Sequence, residues 1–507
     1  MRNQAAADSY WLDQGPEQQF EPLDRDISVD VAVVGAGITG LSTAINVLET
    51  GRSVAVIEAD RVGRGTSGHT TAKLTAQHGL KYASLVSNLG RRAAQQYADA
   101  NQAAIEEVAN RIDTIGIEAD FERTAAYVYT TRDEESDALE EEAEIASELG
   151  LPAEYVSDPS GPFPMAGALR FRDQAQFHPG RYLLGLAEAV DAHPNGFVFE
   201  RTRATAVASG PPVRIATNRD RTVSSADIVL ATLFPIADRT GYFTRMHPSR
   251  AYLVVADIAD PPPEGMYLST DERPWTFRGL PGSNGHQLLV GGQSQTMADD
   301  RQRPAERYRR CVAFAREHFP VEAITYRWSA HDYVPVDGIP FIGNRGPVAD
   351  NVYVGTGFNK WGMTGGTAAG IILAGLIDQD NHPWAPVFDP MRLDVSRAGR
   401  FLRENLAVGR RWVGDRFRTE TSAREIRTAL DPGEGAVFRH DGRPMAVARD
   451  ATNELHVQSA VCPHLGCLVE WNDLDETWDC PCHGSRFDID GTMRYGPSVD
   501  DLPPREL

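Results

Sequence analysis

Three features are scarce in this sequence, and each scarcity excludes a class of protein. No stretch approaches the roughly 18 consecutive apolar residues that a membrane-spanning helix needs. Residues 1–20 have no apolar core behind a basic start, as a secretory signal peptide would have. Cysteine is rare, with 5 among 507 residues. We therefore expect a cytoplasmic protein that is not integral to a membrane.

Positive charge is scarce as well. The chain carries 50 lysines and arginines against 71 aspartates and glutamates, which gives a formal net charge of -21 at pH 7. This charge opposes binding to a nucleic-acid backbone or an anionic membrane surface, so neither is expected as a main partner. The remaining composition, with 41% hydrophobic and 24% charged residues, is that of an ordinary globular protein. At about 100 to 200 residues per domain, the length predicts two to four domains.

The few cysteines are unevenly distributed along the chain. Cys462, Cys467, Cys480 and Cys482 lie within one short carboxy-terminal stretch. In a cytosolic protein this clustering indicates a metal or redox centre rather than a disulfide framework. Cys311 lies in a segment with helical character, and we expect it to be a packed core thiol.

The amino-terminal part has the pattern of a dinucleotide-binding fold. An apolar, β-branched run at 29–34 stops at a glycine, and residues 38–48 then show helical spacing. A second buried strand at 53–57 is followed by Glu58. This order of strand, turn, helix and strand predicts a βαβ unit, and its glycines have the spacing GxGxxG.

Each residue of this motif has a physical task. Gly35 would form the tight turn, Gly37 would let the backbone approach the pyrophosphate, and Gly40 would permit close helix packing. The helix amino terminus would stabilise the phosphate charge. Glu58 would accept hydrogen bonds from the ribose hydroxyls and disfavour a 2'-phosphate. NAD and FAD share this fingerprint, so the motif leaves the choice between them open.

Four further segments decide that choice by resemblance. They are RGTSG at 64–68, ADIVLAT at 226–232, DYVPVDGIPFIG at 332–343 and VYVGTGFNKWGMTGG at 352–366. These segments resemble the D-amino acid oxidase family of FAD-dependent amine and amino acid oxidoreductases. The resemblance covers roughly residues 26–388 and implies FAD as the cofactor.

The same resemblance implies which residues lie near the flavin. In that family the segment after the acidic residue approaches the ring, which places Thr66 and Ser67 there. The late glycine-rich turn aims a helix amino terminus at the pyrimidine end, where its dipole would stabilise negative charge on the reduced flavin. Lys360 could add to this, although a surface lysine is the alternative. The base is unknown, and Lys360 and Thr364 are the flavin-proximal candidates. Residues of the turn expected near the ring are Gly357, Lys360, Gly362, Met363 and Thr364.

Three other residues are weaker candidates. His69 lies near the position where some relatives attach flavin covalently, but a lone histidine is usually structural. His178 is expected to be a turn or packing residue. Arg278 is a candidate for binding a substrate carboxylate, although nothing in the sequence requires it.

The organisation follows from these segments. A strand and a glycine-rich turn recur late in the chain, which indicates a discontinuous FAD-binding domain. We predict a Rossmann-like α/β domain with an inserted α+β substrate domain, followed by a small all-β carboxy-terminal domain. The boundaries are 26–390 for the FAD-dependent oxidoreductase region (with the FAD-binding domain at about 26–80, 160–245 and 325–390), 391–418 for a helical connector, and 419–507 for the carboxy-terminal domain.

The carboxy-terminal motifs CxH and CxxH supply two thiolates and two imidazoles. This is the ligand set of a Rieske [2Fe-2S] cluster, in which histidines replace two cysteines on one iron. Cys462 and Cys480 should hold the inner iron, and His464 and His483 the outer one. Two neutral ligands make the cluster less negative, so its potential should lie within about -150 to +300 mV.

Zinc is the alternative metal for such a motif, because cysteine and histidine at short spacing also suit tetrahedral zinc. It does not account for all six positions. By resemblance to the Rieske subunits of respiratory cytochrome complexes, Cys467 and Cys482 would form a disulfide and Ser485 would bond a bridging sulfide. Phe487 stands where the high-potential members have a tyrosine that bonds a ligand thiolate, so we expect a lower potential.

These expectations lead to a mechanism. An amine or amino acid would donate two electrons to FAD from a C-H bond beside nitrogen, and the cluster would pass them singly to an acceptor protein or a quinone. The alternative is an electron-transfer module without an organic substrate. In a third interpretation the Rieske domain is purely structural, but such a role does not explain why the set of cluster ligands is complete.

Overall fold

The computed structural model describes residues 9–15, 18–208, 210, 212–236, 238, 241–280, 285–297, 304–346, 351–392 and 420–507. The described helices are α1 (Tyr10–Asp13), α2 (Ile38–Glu49), α3 (Tyr82–Leu89), α4 (Arg91–Ile115), α5 (Ser136–Glu148), α6 (Pro179–Ala192), α7 (Tyr242–Arg245), α8 (Pro304–His318), α9 (Gly362–Gln379), α10 (Ala385–Phe388) and α11 (Ala423–Thr428), with 3₁₀ turns at Thr66–His69 and Asp133–Glu135.

The described strands make up four sheets. In chain order they are β1 (Ile27–Val34), β2 (Val54–Ile57), β3 (Lys73–Leu74), β4 (Glu122–Thr130), β5 (Ala153–Val156), β6 (Gly167–Gln176), β7 (Gly196–Phe199), β8 (Ala204–Ala208), β9 (Val213–Thr217), β10 (Thr222–Leu230), β11 (Met246–Ile258), β12 (Met266–Ser269), β13 (Thr276–Gly279), β14 (Gln287–Thr296), β15 (Val321–Pro335), β16 (Phe341–Asn344), β17 (Val352–Thr356), β18 (Gly435–His440), β19 (Arg443–Arg449), β20 (Leu455–Ser459), β21 (Glu470–Asn472), β22 (Thr477–Asp479), β23 (Arg486–Phe487) and β24 (Met493–Tyr495).

The first sheet has a parallel centre. Its order is β16-β17-β10-β1-β2-β7, with β9 paired to β10 and β8 to β9. Strand β1 runs parallel to both β10 and β2, and its last four residues are buried. A parallel strand covered on both faces needs apolar side chains at every position, which explains its continuous apolar run. Helix α2 follows β1 and packs against α9.

The strands of this sheet come from three separate stretches of the chain. These stretches are 27–57, 196–230 and 341–356. A Rossmann-like α/β layer assembled in this way agrees with the predicted fold class. The domain boundaries given above stay a prediction.

The second sheet has nine strands in the order β15-β11-β14-β13-β12-β4-β6-β3, with β5 paired to β6. Helix α8 packs on it and buries Cys311, whose Sγ lies 3.5 Å from the Tyr252 carbonyl oxygen. Burial raises the pKa of this thiol to about 12, so Cys311 is the packed core thiol that the sequence predicts. Strand β15 pairs with β11 along its length and ends beside the first sheet's strand β16.

The carboxy-terminal module is all-β apart from the short helix α11. It consists of a three-stranded sheet, β18-β19-β20, and a four-stranded sheet, β21-β22-β23-β24. Its core contains Trp478, Phe487 and all four clustered cysteines. The predicted all-β domain is therefore confirmed. The predicted connector at 391–418 lies outside the described residues, except for Met391 and Arg392.

Within the part of the chain that the structure describes, no helix combines the length and the apolar character needed to cross a bilayer.

Candidate cofactor sites

A cavity of about 460 Å³ lies among the modules. Residues of both large sheets line it, and so do residues of the carboxy-terminal module, which contributes the segment around Met493 to Val499. The volume is within the range of small-molecule sites in proteins. The lining begins at the β1-α2 turn and includes the loop before α9.

The β1-α2 turn is closed so tightly that side chains are excluded. Gly35 has a φ of +106°, and a Cβ placed there would lie 2.5 Å from the Ala231 carbonyl oxygen. A Cβ on Gly40 would lie 1.9 Å from the Gly35 carbonyl oxygen. The hydroxyl of Ser67 accepts a hydrogen bond from the Ile38 amide at 3.1 Å. The first turn of α2 is thus held at the cavity wall with its amino terminus facing the site.

Glu58 directly follows β2 and borders the cavity. Its Oε2 accepts a hydrogen bond from the Ala36 amide at 2.8 Å, and its Oε1 accepts one from the Asp60 amide at 3.0 Å. Burial raises the pKa of this carboxyl, while the two amides oppose the shift. Each oxygen keeps a second lone pair, so the carboxylate can still accept hydrogen bonds from ribose hydroxyls.

The loop between β17 and α9 has an unusual backbone. Gly357, Asn359 and Lys360 all have positive φ, at +72°, +52° and +71°. The Lys360 amide donates to the Asp332 carboxylate, and its Nζ donates to the Ser294 hydroxyl at 2.7 Å. The side chain is accessible from the cavity, yet surrounding protein atoms lower its pKa, and Asp332 opposes this shift. Lys360 is therefore an exposed residue that borders the cavity.

Asp332 is the carboxylate that anchors this loop. It is 9% exposed and borders the cavity. Burial raises the pKa of Asp332 to about 6, although hydrogen bonds from the Lys360 and Tyr333 amides oppose the rise. The group can change its protonation state near neutral pH, where an oxidoreductase site can use it.

Most of the flavin-site residues that the sequence predicts meet at this cavity. Three predicted residues do not line it among the described residues, namely Gly40, Gly357 and Thr364. The Thr364 hydroxyl donates to the Thr75 carbonyl oxygen at 2.9 Å and accepts from its amide at 3.0 Å, so it fixes a neighbouring loop. Those that line it are Gly35, Gly37, Glu58, Thr66, Ser67, Lys360, Gly362 and Met363.

The three weaker candidates have structural contacts. Arg278 is completely buried and donates to the Thr71 carbonyl oxygen at 2.7 Å. It is not among the described residues that border the cavity. His178 caps α6 by accepting from the Arg181 amide at 3.3 Å. The His69 ring lies 2.8 Å from the Gly65 carbonyl oxygen. The geometry therefore gives no support to Arg278 as a carboxylate ligand.

Sequence reasoning missed several cavity residues. Lys73 on β3 borders the cavity, and burial holds its pKa well below the usual range. His331 and residues 493–499 also border it. Strand β3 is too short for its alternation to indicate which face of the sheet Lys73 occupies. No motif indicates that residues 493–499 contribute to a site in another domain.

The predicted cluster ligands lie on two similar tight loops. In the first, the Cys462 amide donates to the Cys467 carbonyl oxygen at 2.8 Å. In the second, the Cys480 amide donates to the Ser485 carbonyl oxygen at 2.7 Å and the Gly484 amide donates to the Cys480 carbonyl oxygen at 2.9 Å. Such loops bring a cysteine and a histidine from each side to one place.

The donor atoms of these loops suit an iron-sulfur cluster. Cys462 and Cys480 are 1% exposed free thiols that share a hydrogen bond, which lowers the pKa of Cys462. The rings of His464 and His483 lie 5.0 Å apart between centroids, and the buried Nδ1 of His464 has no hydrogen-bond partner. Burial lowers the pKa of His483 to about 3, so its imidazole is neutral as a ligand must be.

A disulfide joins Cys467 to Cys482 and ties the two loops together. The Sγ atoms of Cys467, Cys480 and Cys482 lie within 4.8 Å of one another, so the disulfide is directly beside one predicted ligand. With both of these sulfurs bonded, only Cys462 and Cys480 remain as thiol ligands in this module. The donors that remain on these loops are therefore two thiols and two imidazoles, which is the set that the sequence predicts.

Two further residues lie beside the ligand loops. The Ser485 hydroxyl accepts from the Ser498 amide at 3.1 Å and also bonds Cys462. Phe487 is completely buried in the core of the module, so its ring offers no donor to a thiolate. The expected low potential for this module stays a prediction.

The carboxy-terminal module packs closely on the two large sheets. Arg250 of β11 and Asp479 of β22 form an ion pair of 2.7 Å, with side chains 7% and 6% exposed. Asp479 is also paired with Arg486 at 2.9 Å, and Arg486 bonds Asp475. On the other side of the contact, Arg203 donates to the Met493 carbonyl oxygen at 2.8 Å. The contact is thus a buried network rather than a loose association.

Comparison with known proteins gives two family matches. The family described as FAD dependent oxidoreductase matches residues 30–376, and the Rieske [2Fe-2S] domain matches residues 424–505. The matches imply FAD in the first part of the chain and a [2Fe-2S] cluster in the second.

Individual relatives agree with these matches. The Rieske 2Fe-2S iron-sulfur protein YhfW of Bacillus subtilis is 33% identical, over 99% of this chain and 98% of its own. Gamma-glutamylputrescine oxidoreductase of Escherichia coli is 24% identical over 71% of this chain and 86% of its own. Glycine oxidase from Geobacillus kaustophilus has a similar fold, with a TM-score of 0.59 and 20% identity over 72% of this chain and 99% of its own.

Proposed function

Because the chain belongs to the FAD-dependent oxidoreductase family and carries a Rieske [2Fe-2S] domain, we propose that it is an amine or amino acid dehydrogenase. FAD supplies hydride acceptance from a C-H bond beside nitrogen, and the cluster supplies one-electron transfer to an acceptor protein or a quinone. The observation that supports this most is the shared cavity. Its wall includes most of the predicted flavin residues and a segment of the Rieske module.

The residues of the cavity divide the work of binding FAD. The amides of the β1-α2 turn, including those at Gly35 and Gly37, would hold the pyrophosphate, and Glu58 would hold the ribose. Thr66 and the start of α9 at Gly362 and Met363 would contact the ring system. Gly40, Gly357 and Thr364 would shape the wall from behind rather than touch the cofactor.

The Rieske ligands are proposed to be the four residues that the two loops bring together. Cys462 and Cys480 would hold the inner iron, and His464 and His483 the outer one. Cys467 and Cys482 would brace the loops through their disulfide.

The substrate would lie beside Lys360 at the cavity face of the second sheet. Lys360 is positioned by Ser294, and Lys73 is the other lysine that borders this cavity in the described residues. A lysine with a lowered pKa can be neutral and accept a proton from an amine substrate. The names of the relatives, glycine oxidase and gamma-glutamylputrescine oxidoreductase, support nitrogen-bearing substrates.

An anaerobic titration with a panel of amines and amino acids tests this function. Visible absorption would follow the flavin, and low-temperature EPR would follow the cluster. The expected result is bleaching of the flavin together with the EPR signal of a reduced Rieske cluster.

Two other results would contradict parts of the proposal. If only a chemical reductant produces the Rieske signal, the chain is an electron-transfer module without an organic substrate. If fully loaded, reduced protein gives no Rieske signal, the cluster assignment is wrong.

A further inference from the structure

We propose that residues 331–333 of β15 are the bridge through which electrons pass from the flavin to the cluster. This inference rests on the proposed function, since it requires electron transfer between the two cofactors. It assigns a positioning role to Tyr333 and His331.

One side of this segment belongs to the flavin cavity. His331 and Asp332 border the cavity. The Thr66 hydroxyl donates to the His331 carbonyl oxygen at 2.8 Å, and Asp332 accepts from the Lys360 amide. The His331 backbone and the Asp332 side chain are therefore bonded to two residues that are proposed to lie beside the flavin ring.

The other side of the segment meets a cluster loop. The Tyr333 hydroxyl donates to the His483 carbonyl oxygen at 2.6 Å, and Tyr333 is completely buried. A Cβ placed on Gly484 would lie 2.4 Å from Cε1 of His331, so this ring presses against the ligand loop. The His331 ring also contacts that of Tyr495, with 5.4 Å between centroids.

Strand geometry explains how one segment reaches both sites. Successive side chains of a strand point to opposite faces, so His331 and Tyr333 face one way and Asp332 faces the other. One strand can therefore contact a different site with each of its faces. A chain of covalent and hydrogen bonds from Thr66 through the backbone of 331–333 to His483 crosses it, and electron tunnelling is fastest along such bonded routes.

Interface packing alone is the alternative reading, and two details argue against it. Within the described part of the chain, neither ring nitrogen of His331 has a hydrogen-bond partner, although the residue is only 2% exposed. A packing contact gains nothing from such a buried polar ring, so an orphaned histidine at a contact between two sites requires a specific reason. The second detail is that Tyr333 donates a hydrogen bond to the ligand loop, which makes the contact directional. Another hydrogen-bonded route, from Ser498 at the cavity through the Ser485 hydroxyl to Cys462, is independent of Tyr333, so loss of the Tyr333 hydroxyl should slow the transfer and not abolish it.

The electron balance of the step is simple. The two-electron reduced FAD loses one electron and the oxidised cluster gains it. A one-electron acceptor outside the chain must then reoxidise the cluster before the second electron can follow. Without that acceptor, one electron crosses per molecule.

The test is flash photoreduction of the flavin in the full-length protein that carries both cofactors. EDTA serves as the sacrificial electron donor, and the absorbance of the cluster is followed over time without oxygen or an acceptor. Tyr333→Phe removes the bond to the ligand loop and should slow cluster reduction several-fold. Tyr308→Phe is the matched control, because it removes another buried tyrosine hydroxyl near the same interface, one with no hydrogen-bond partner.

A slower rate counts for the bridge only at unchanged driving force. The cluster potential and the EPR signal should be the same in Tyr333→Phe and in Tyr308→Phe, since the Tyr333 hydroxyl bonds a backbone carbonyl and not a ligand atom. His331→Leu gives a second variant should Tyr333→Phe fail to fold, and it too should slow the transfer. Wild-type rates of cluster reduction in Tyr333→Phe and His331→Leu, at equal cluster potentials, would overturn the bridge. Absence of transfer in the wild-type protein would instead overturn the proposed function.

Discussion

Replacing Arg250 by methionine should open the contact between the Rieske module and the rest of the protein. Arg250 lies on β11, and its guanidinium pairs with Asp479 across the module boundary. Methionine fills a similar volume without charge. The change leaves a carboxylate buried at the contact with one cationic partner fewer.

The size of the effect follows from the burial of the pair. Removing one partner of a buried ion pair costs about 3 to 5 kcal/mol. Arg486 stays paired with Asp479 at 2.9 Å, so we expect the lower end, about 3 kcal/mol. At 1.4 kcal/mol per tenfold, the undocked population should rise roughly a hundredfold.

Hydrogen exchange measures this opening directly. Peptides that cover 329–333 and 475–486 should exchange faster in Arg250→Met, while peptides from α2 should not change. Arg91→Met is the control, because the Arg91 pair with Glu148 is exposed on both sides, at 56% and 59%. Such pairs contribute little. Equal exchange in the wild-type protein and in Arg250→Met would refute the reasoning that this buried pair holds the modules together.

Three further predictions concern the sites themselves. Gly40→Ala should abolish FAD retention, because its Cβ would lie 1.9 Å from a backbone oxygen. Gly285→Ala should bind FAD normally, because no atom of the described residues lies within 4 Å of its Cβ. The flavin absorbance of the purified protein checks both variants. Burial raises the pKa of Asp332 from 3.8 to about 6, so the folded state binds this proton more tightly than the unfolded state does. The free energy of unfolding should therefore fall by about 3 kcal/mol as the pH rises through that window. Urea unfolding at pH 4 and pH 7 should show a smaller difference in Asp332→Asn than in the wild-type protein, and an identical difference would contradict the assignment. Replacing Cys467 and Cys482 by alanine removes a link across 15 residues and should lower the free energy of unfolding of the Rieske module by about 3 kcal/mol, measured by the cluster absorbance in denaturant; an unchanged midpoint would count against it.

Local patterns predicted the parts of the fold that local physics determines. The turn at Gly35 needs positive φ and the entry of α2 needs no side chain at Gly40, so these requirements are readable in the sequence itself. The spacing of the cysteine and histidine ligands is similarly local, because each tight loop must supply both donors. Resemblance rather than pattern suggested the disulfide between Cys467 and Cys482.

Long-range packing determines the parts that the sequence did not reveal. Arg250 and Asp479 are separated by more than two hundred residues, and neither lies in a motif that indicates a partner. The orientation of His331 depends on the pairing of β15 with β11, which alternation along one strand does not specify. Arg278 was a candidate carboxylate ligand by residue type, and only the folded chain brings near it the Thr71 carbonyl oxygen and the Gln176 side chain to which it donates.

The segment 493–499 has a consequence for how the protein matures. It forms part of the cavity wall, yet it is synthesised after all the other residues of that wall. The amino-terminal fold can therefore receive FAD while the site is still open on that side. Docking of the Rieske module would then complete the wall on that side, so that opening of the module contact would give bound FAD a way out. The lifetime of the bound cofactor would consequently depend on the strength of an interface as well as on its own contacts.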